Sequence, residues 1–240
     1  MNVVTNHKLI KRNRTIGNVA NVAGIVILGA GAFFSFRGTS ATEINPLSLN
    51  LLLVAMLVGF IIIQVGAYYM NRWGRSPRPD ELIDKGLKGM GREYTVYHYT
   101  TPAYHFLLGP AGLWVIVPYH QPGKVTYAKK RWRIRGGGAM QSYLRLFGQE
   151  GLGRPDLESG AEADSIKRYL SRILPEGTEL PTVKAMLLFL NPKVELELED
   201  APLPAMLLKD LKDFLREQAK GKPVSAATLD AIREALPKPE

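Results

Sequence analysis

The sequence predicts an α/β domain, a mixed-sheet sandwich, attached to an N-terminal two-helix transmembrane hairpin. Three observations lead there. Residues 16–36 and 47–70 are two long runs without a charged residue, separated by ten positions. The remainder alternates between helical and strand periodicities in the order α, several β, α, β, β, α, α, which suits helices packed on a mixed sheet. The chain has 240 residues and no Cys, with 46% hydrophobic residues, so it can build a core. That composition excludes a fully disordered chain, a collagen or a disulfide scaffold. The lack of Cys also excludes thiolate catalysis, Cys-based zinc sites and iron–sulfur ligation.

The first apolar run, IGNVANVAGIVILGAGAFFSF, spans roughly 31 Å as a helix, and the second, LSLNLLLVAMLVGFIIIQVGAYYM, roughly 36 Å. The second is denser in Leu, Ile and Val. The first carries Asn18 and Asn21, which favour packing against the second. Gly24, Gly29, Gly31, Gly59 and Gly66 would let the backbones approach. Two buried core helices are a poorer fit to two uncharged runs so close together. Thr39-Ser40-Ala41 resembles a signal cleavage site, but the preceding run exceeds the usual h-region of about 7–15 residues, so an uncleaved anchor is expected.

Orientation follows from Lys and Arg. Lys8, Lys11, Arg12 and Arg14 precede the first run, Arg37 alone lies between the runs, and Arg72, Arg75, Arg78, Lys85 and Lys88 follow the second. The positive-inside rule then puts both termini in the cytoplasm of a two-span protein of the cell (inner) membrane. Tyr68, Tyr69 and Trp73 suit an aromatic belt. Neither run contains an ionisable acid, base or His, which argues for an anchor rather than a pump, channel or proton relay. The division expected is 1–79 for tail, hairpin and basic linker, and 80–240 for a cytoplasmic domain.

Within the domain, DELIDKGLKGMGR over 80–92 reads as a helix with acids first and bases later. EYTVYHYT over 93–100 alternates like a strand. HFLLG, the turn at Pro110-Ala111-Gly112 and LWVIV read as strand, turn, buried strand. KVTYAKKRWRIR reads as a third strand of a meander. A helix over 160–174 capped by Ser159, a buried strand over 182–190, a half-exposed strand VELELED, and helices over 203–219 and 225–236, the last capped by Ser225, complete the prediction.

On these residues the region 80–200 resembles the nuclease-related domain family, relatives of the restriction-endonuclease-like nucleases with a PD-(D/E)xK core. The resemblance rests on the opening helix followed by His105-Phe-Leu-Leu-Gly109-Pro110-Ala-Gly112-Leu-Trp-Val-Ile116. It implies a restriction-endonuclease-like sandwich. In that family clustered carboxylates hold Mg²⁺ and a Lys orients the attacking water. This chain has Tyr104 where the family has its strand Asp, and Val117-Pro118-Tyr119 where it has Glu-x-Lys. The family's helical Gln falls near Glu158, and its first-helix acid near Glu81 or Asp84. The resemblance therefore implies a degenerate copy with no catalytic residues and no cofactor. Mg²⁺ would enter only if an unrecognised acidic cluster made the chain an active membrane-tethered nuclease.

Of the four His residues, His7, His98, His105 and His120, the pair His98 and His105 flank a short segment and can approach each other. No Asp or Glu lies between 94 and 149 to complete a metal site or triad, so these read as ordinary strand histidines. The sharpest surface feature is Lys129, Lys130, Arg131, Arg133 and Arg135 around Trp132. In a strand the three Arg share one face, and Trp132 and Ile134 the other. Three partners suit this strand: anionic headgroups of membrane lipids, nucleic-acid phosphates with Trp132 as a stacking platform, or an acidic protein. Glu195, Glu197 and Glu199 alternate and are expected to face solvent rather than a metal. The function expected is membrane-anchored binding or scaffolding. The alternatives are an active nuclease, or an accessory subunit whose first span packs on other membrane subunits.

Overall fold

Strand periodicity builds the central sheet. The structure is a computed structural model that describes residues 1–37, 46–136, 152–175, 178, 180–221 and 223–238. Nine strands are described: β1 (Asn2–Thr5), β2 (Thr95–His98), β3 (His105–Gly109), β4 (Gly112–Tyr119), β5 (Gly123–Ala128), β6 (Arg131–Arg135), β7 (Val183–Phe189), β8 (Val194–Leu198) and β9 (Ala205–Leu207). Six of them form a mixed sheet in the order β1-β2-β3-β4-β7-β9, and three form a small sheet in the order β6-β5-β8.

Alternate residues of the large sheet enter two separate cores. Val96, Leu107, Trp114, Ile116, Met186 and Leu188 face one layer, which also holds Ile83 and Leu87 of α3 (Pro79–Leu87) and Leu211 and Leu215 of the helix Leu211–Gly221. Tyr97, Phe106, Leu108, Val115, Val117, Leu187 and Phe189 face the other. That layer holds Ile166 and Leu170 of the helix Pro155–Ile173, Leu229 and Ile232 of Ala226–Ala235, and Val125 and Val194 of the small sheet. These three helices are α4 (Pro155–Ile173), α5 (Leu211–Gly221) and α6 (Ala226–Ala235). The result is a three-layer mixed α/β sandwich, the coarse class expected.

Several elements differ from the sequence reading, each for a local reason. Helix α3 stops at Leu87 because Gly89 takes a left-handed φ of 93°. The stretch KVTYAKKRWRIR is two strands, because Lys129 and Lys130 adopt φ of 50° and 57° and make a two-residue hairpin turn. Strand β5 does not extend the antiparallel meander β2-β3-β4, since β4 takes β7 as its parallel neighbour and β5 joins the small sheet. Helix α4 begins at Pro155, a favoured first helical residue, and Ser159 is buried inside it, donating to the Pro155 carbonyl at 2.6 Å rather than capping. The segment expected to start a helix at 203 first forms β9, on the far edge of the sheet. Ser225 does cap α6, accepting from the Thr228 amide. Most of the expected loop 136–160 lies outside the described residues up to 151.

The sequence division at 79/80 also shifts. Met1–Asn6 and Pro79–Glu240 form one unit, and His7–Arg78 another. Strand β1 pairs in parallel with β2, Val3 against Val96 and Val4 against Tyr97. Val4 is buried in the core while Val3 faces out.

The second unit is a helical hairpin of α1 (His7–Arg37) and α2 (Pro46–Tyr69), prolonged by a π-helical turn over Met70–Gly74. Both helices are long and apolar enough to cross a membrane. The helices run antiparallel: a Cβ on Gly17 would lie 3.0 Å from Cβ of Tyr69, and one on Gly31 would collide with Ala55. The glycines that permit this approach recur every seven residues, at 17, 24 and 31 on α1 and at 59 and 66 on α2, the spacing of a helix-pair seam. Gly29, expected there, faces open space, and Gly17 takes part instead. Asn21 lies over Gly66, whereas Asn18 is exposed. Tyr68, Tyr69 and Trp73 do cluster, with Tyr69 and Trp73 ring centroids 5.3 Å apart.

Candidate functional site

None of the three positions expected from the resemblance to stand in place of nuclease acid and lysine residues, Tyr104, Val117 and Tyr119, carries a carboxylate. Val117 and Tyr119 both project from β4 into the core shared with α4. Tyr119 stacks on Phe189 with centroids 5.6 Å apart. Burial, reinforced by Glu158, Glu162 and Asp156 of α4, pushes its phenol far above the ordinary tyrosine range. Tyr104 is half-buried just before β3. Glu158 of α4 approaches Tyr119 on β4, and its carboxylate also lies over Gly153, where a Cβ would come within 2.7 Å of it. A phenol held neutral and a Val cannot supply ligands to a hard cation. Among the described residues no group of three or more His, Asp or Glu is placed to hold a metal ion.

A buried polar chain lies elsewhere, on the α3 side of the sheet. His98 and His105 are register partners on β2 and β3, and their Nδ1 atoms are 2.8 Å apart. Both rings are buried. His98 Nε2 meets Asp84 Oδ1 at 3.1 Å, the carboxylate being one-third exposed. With Asp84 ionised and both rings neutral, His98 donates from Nε2 and accepts at Nδ1 from His105. The two Nδ1 atoms share a proton at that distance. A metal about 2.0–2.1 Å from each nitrogen would force them apart. Neither ring is open to solvent, so the chain ties α3 to β2 and β3 rather than presenting a base to a substrate. Sequence reasoning missed Asp84 as the partner because it lies on a helix, outside the acid-free stretch 94–149. Its position next to inward-facing Ile83 was the available signal.

The basic strand is where the sequence placed it, with two changes. Lys129 and Lys130 sit in the hairpin turn, and Arg131, Arg133 and Arg135 are exposed on β6. Trp132 and Ile134 face inward and pack on the core, Trp132 with its ring 4.8 Å from that of Tyr127. Trp132 therefore offers no stacking platform beside the arginines. The second change is the neighbourhood. Strand β5 has β6 on one side and β8 on the other, in registers that bring Arg135, Lys124 and Glu195 into one cross-strand row and Arg133, Thr126 and Glu197 into the next. Arg131 pairs with Ala128, and Glu199 continues the β8 ladder by donating its amide to the Tyr127 carbonyl. The arginine row and the glutamate row thus share one exposed face, two strand spacings apart, about 10 Å. Lys124 and Glu197 form an ion pair across it.

Comparison with protein-family models, curated proteins and solved structures gives no match for this chain.

Proposed function

We propose that the chain is a two-span protein of the cell membrane whose α/β domain is a non-catalytic, nuclease-like docking or scaffolding module on the cytoplasmic side. One observation carries the non-catalytic reading. The positions where a nuclease of this resemblance needs carboxylates are Val117 and Tyr119, buried in the core, and half-buried Tyr104. The anchor reading is supported by chain connectivity. Residues 1–6 and 79–240 belong to one unit in which β1 pairs with β2, so both ends of the hairpin return to the same side of a bilayer, and the Lys and Arg distribution makes that side cytoplasmic.

The exposed sheet face supports a protein partner over a polyanion. Arg131, Arg133, Arg135 and Lys124 face Glu195, Glu197 and Glu199 across a distance close to the Debye length of about 8 Å at physiological ionic strength, so the acids offset much of the attraction for phosphates. The test of the catalytic question is incubation of the detergent-purified full chain with labelled DNA and RNA in Mg²⁺ or Mn²⁺. No cleavage is expected. Metal-dependent cutting lost in Glu158→Gln or Glu81→Gln would establish the active-nuclease alternative instead.

A second reading has its own observation. Asn18 sits in an uncharged span with its side chain exposed, away from α2. A polar amide there suits a hydrogen bond to another transmembrane helix, as in an accessory subunit of a larger complex. Copurification of a stoichiometric partner in mild detergent, lost in Asn18→Leu, tests it.

A further inference from the structure

We infer that the exposed face of the small sheet pairs with the same face of a second copy of the chain, about a two-fold axis running along β5. The inference deepens the scaffolding reading and rests on it for the membrane anchor. The rows already described have a symmetry property. The axis exchanges the two sides of β5, so it lays the arginine row of one copy over the glutamate row of the other. Arg135 meets Glu195 of the second copy, Arg133 meets Glu197, and Arg131 meets Glu199, each pair formed twice. A two-fold axis across the strands would instead stack like charges on like.

Three further observations fit. The middle strand presents Thr126 and Ala128 to this face, small side chains that meet on the axis without obstruction. Lys124, the one cation on the axis, is drawn aside onto Glu197. None of the three guanidiniums has a hydrogen-bond or ion-pair partner among the described residues, so their charges remain available. Exposed ion pairs are individually weak, but six in one register act together. Confinement of both copies to one bilayer raises their effective concentration.

The chain lacks Cys, so Thr126→Cys introduces one thiol on the proposed axis, and every thiol crosslink joins two copies. In liposomes of neutral lipid, a bis-maleimide with a spacer of about 10 Å, the separation of stacked sheets, is expected to yield dimer. In that background, changing the three arginines to Glu leaves Lys124 as the one base on an otherwise acidic face, and changing the three glutamates to Arg makes a wholly basic one. Each variant alone should lose at least tenfold in crosslinking. Mixing the two should restore it, as should the chain carrying both sets of exchanges. All six side chains are exposed, so the fold should persist, and unchanged circular dichroism checks this. Crosslinking indifferent to these reversals overturns the inference. So does a monomeric parent that binds anionic vesicles or single-stranded DNA through the arginines, which would favour a polyanion. Alkaline carbonate extraction reports the anchor separately: a chain that washes off the bilayer yet still dimerises in solution defeats the membrane reading and leaves the pairing intact.

Discussion

The backbone amide of Asn2 donates to the carbonyl of Tyr94 at 2.8 Å. The bond opens a parallel ladder that ends where the Asn6 amide meets the His98 carbonyl at 3.0 Å. The hairpin is therefore inserted into the domain's chain order: the edge strand precedes the two apolar helices and the rest of the sheet follows them.

The alternation of β1 gives a sharp stability test. Val4 is 4% exposed and Val3 is 38% exposed. Val4→Asp would put a carboxylate into the apolar core and unseat the edge strand. A loss of several kcal/mol is expected, seen as a lower melting temperature of the full chain in detergent. Val3→Asp should change stability by no more than about 0.5 kcal/mol. Equal effects of the two substitutions would mean that β1 is not part of the sheet.

Topology follows from the same ladder. Reporters fused before Met1 and after Glu240 should both be active in the cytoplasm, and a tag inserted between Arg37 and Pro46 should be accessible only from outside. Termini found on opposite sides would be incompatible with β1 pairing to β2.

The His98–His105 contact makes a different prediction. His98→Leu removes the partner of a buried ring nitrogen on His105 and is expected to cost about 1–3 kcal/mol. Asp84→Asn keeps an oxygen acceptor for His98 on a carboxamide that solvent can reach, and should cost less than about 1 kcal/mol. Denaturant titration of the two variants gives the order. In the parent, ring N–H protons of His98 and His105 should exchange slowly with solvent in NMR spectra, and the His98→Leu variant should lose the His98 signal and speed exchange at His105.

Much of this was legible in the sequence, and what was not has identifiable causes. The uncharged runs, the strand, turn and buried strand through 105–117 and the Ser225 cap are local signals, and the structure reproduces them. The β1 strand was invisible because four residues of a polar tail carry no periodicity, and parallel pairing to β2 is a wholly tertiary event. The turn at Lys129-Lys130 escaped because lysine rarely takes the left-handed φ that a two-residue hairpin demands. The inward and outward faces of β6 were correctly read from alternation. The glutamates beside them were not, since their approach depends on β8 crossing to pair with β5. Asp84 illustrates the same limit: a helix and a strand pair meet through packing of Ile83 and Leu87, not through any spacing along the chain.

Three buried tyrosines lower stability at alkaline pH, and burial is the first cause in each, Tyr94 among them being raised above 10.0. Burial, only partly offset by Arg233, pushes the Tyr97 phenol up from 10.0 to about 12. Burial and the acids of α4 push Tyr119 up as well. In the unfolded chain all three phenols lose their protons near the ordinary value of 10.0. Above that pH the folded chain holds protons that the unfolded chain has released, so stability falls as pH rises. The contribution of each neutral phenol is fully present below about pH 10 and, for Tyr97, is lost by the time the pH passes through about 12. The slope is about 1.4 kcal/mol per pH unit per phenol within that window. Tyr119→Phe retains the ring stacked on Phe189 and removes one of these titrations. Its urea midpoint should therefore decline less steeply than the parent's between pH 10 and 11, with the two proteins matching in slope below pH 9. Parallel declines above pH 10 would mean that the Tyr119 phenol ionises in the folded chain as readily as in the unfolded one.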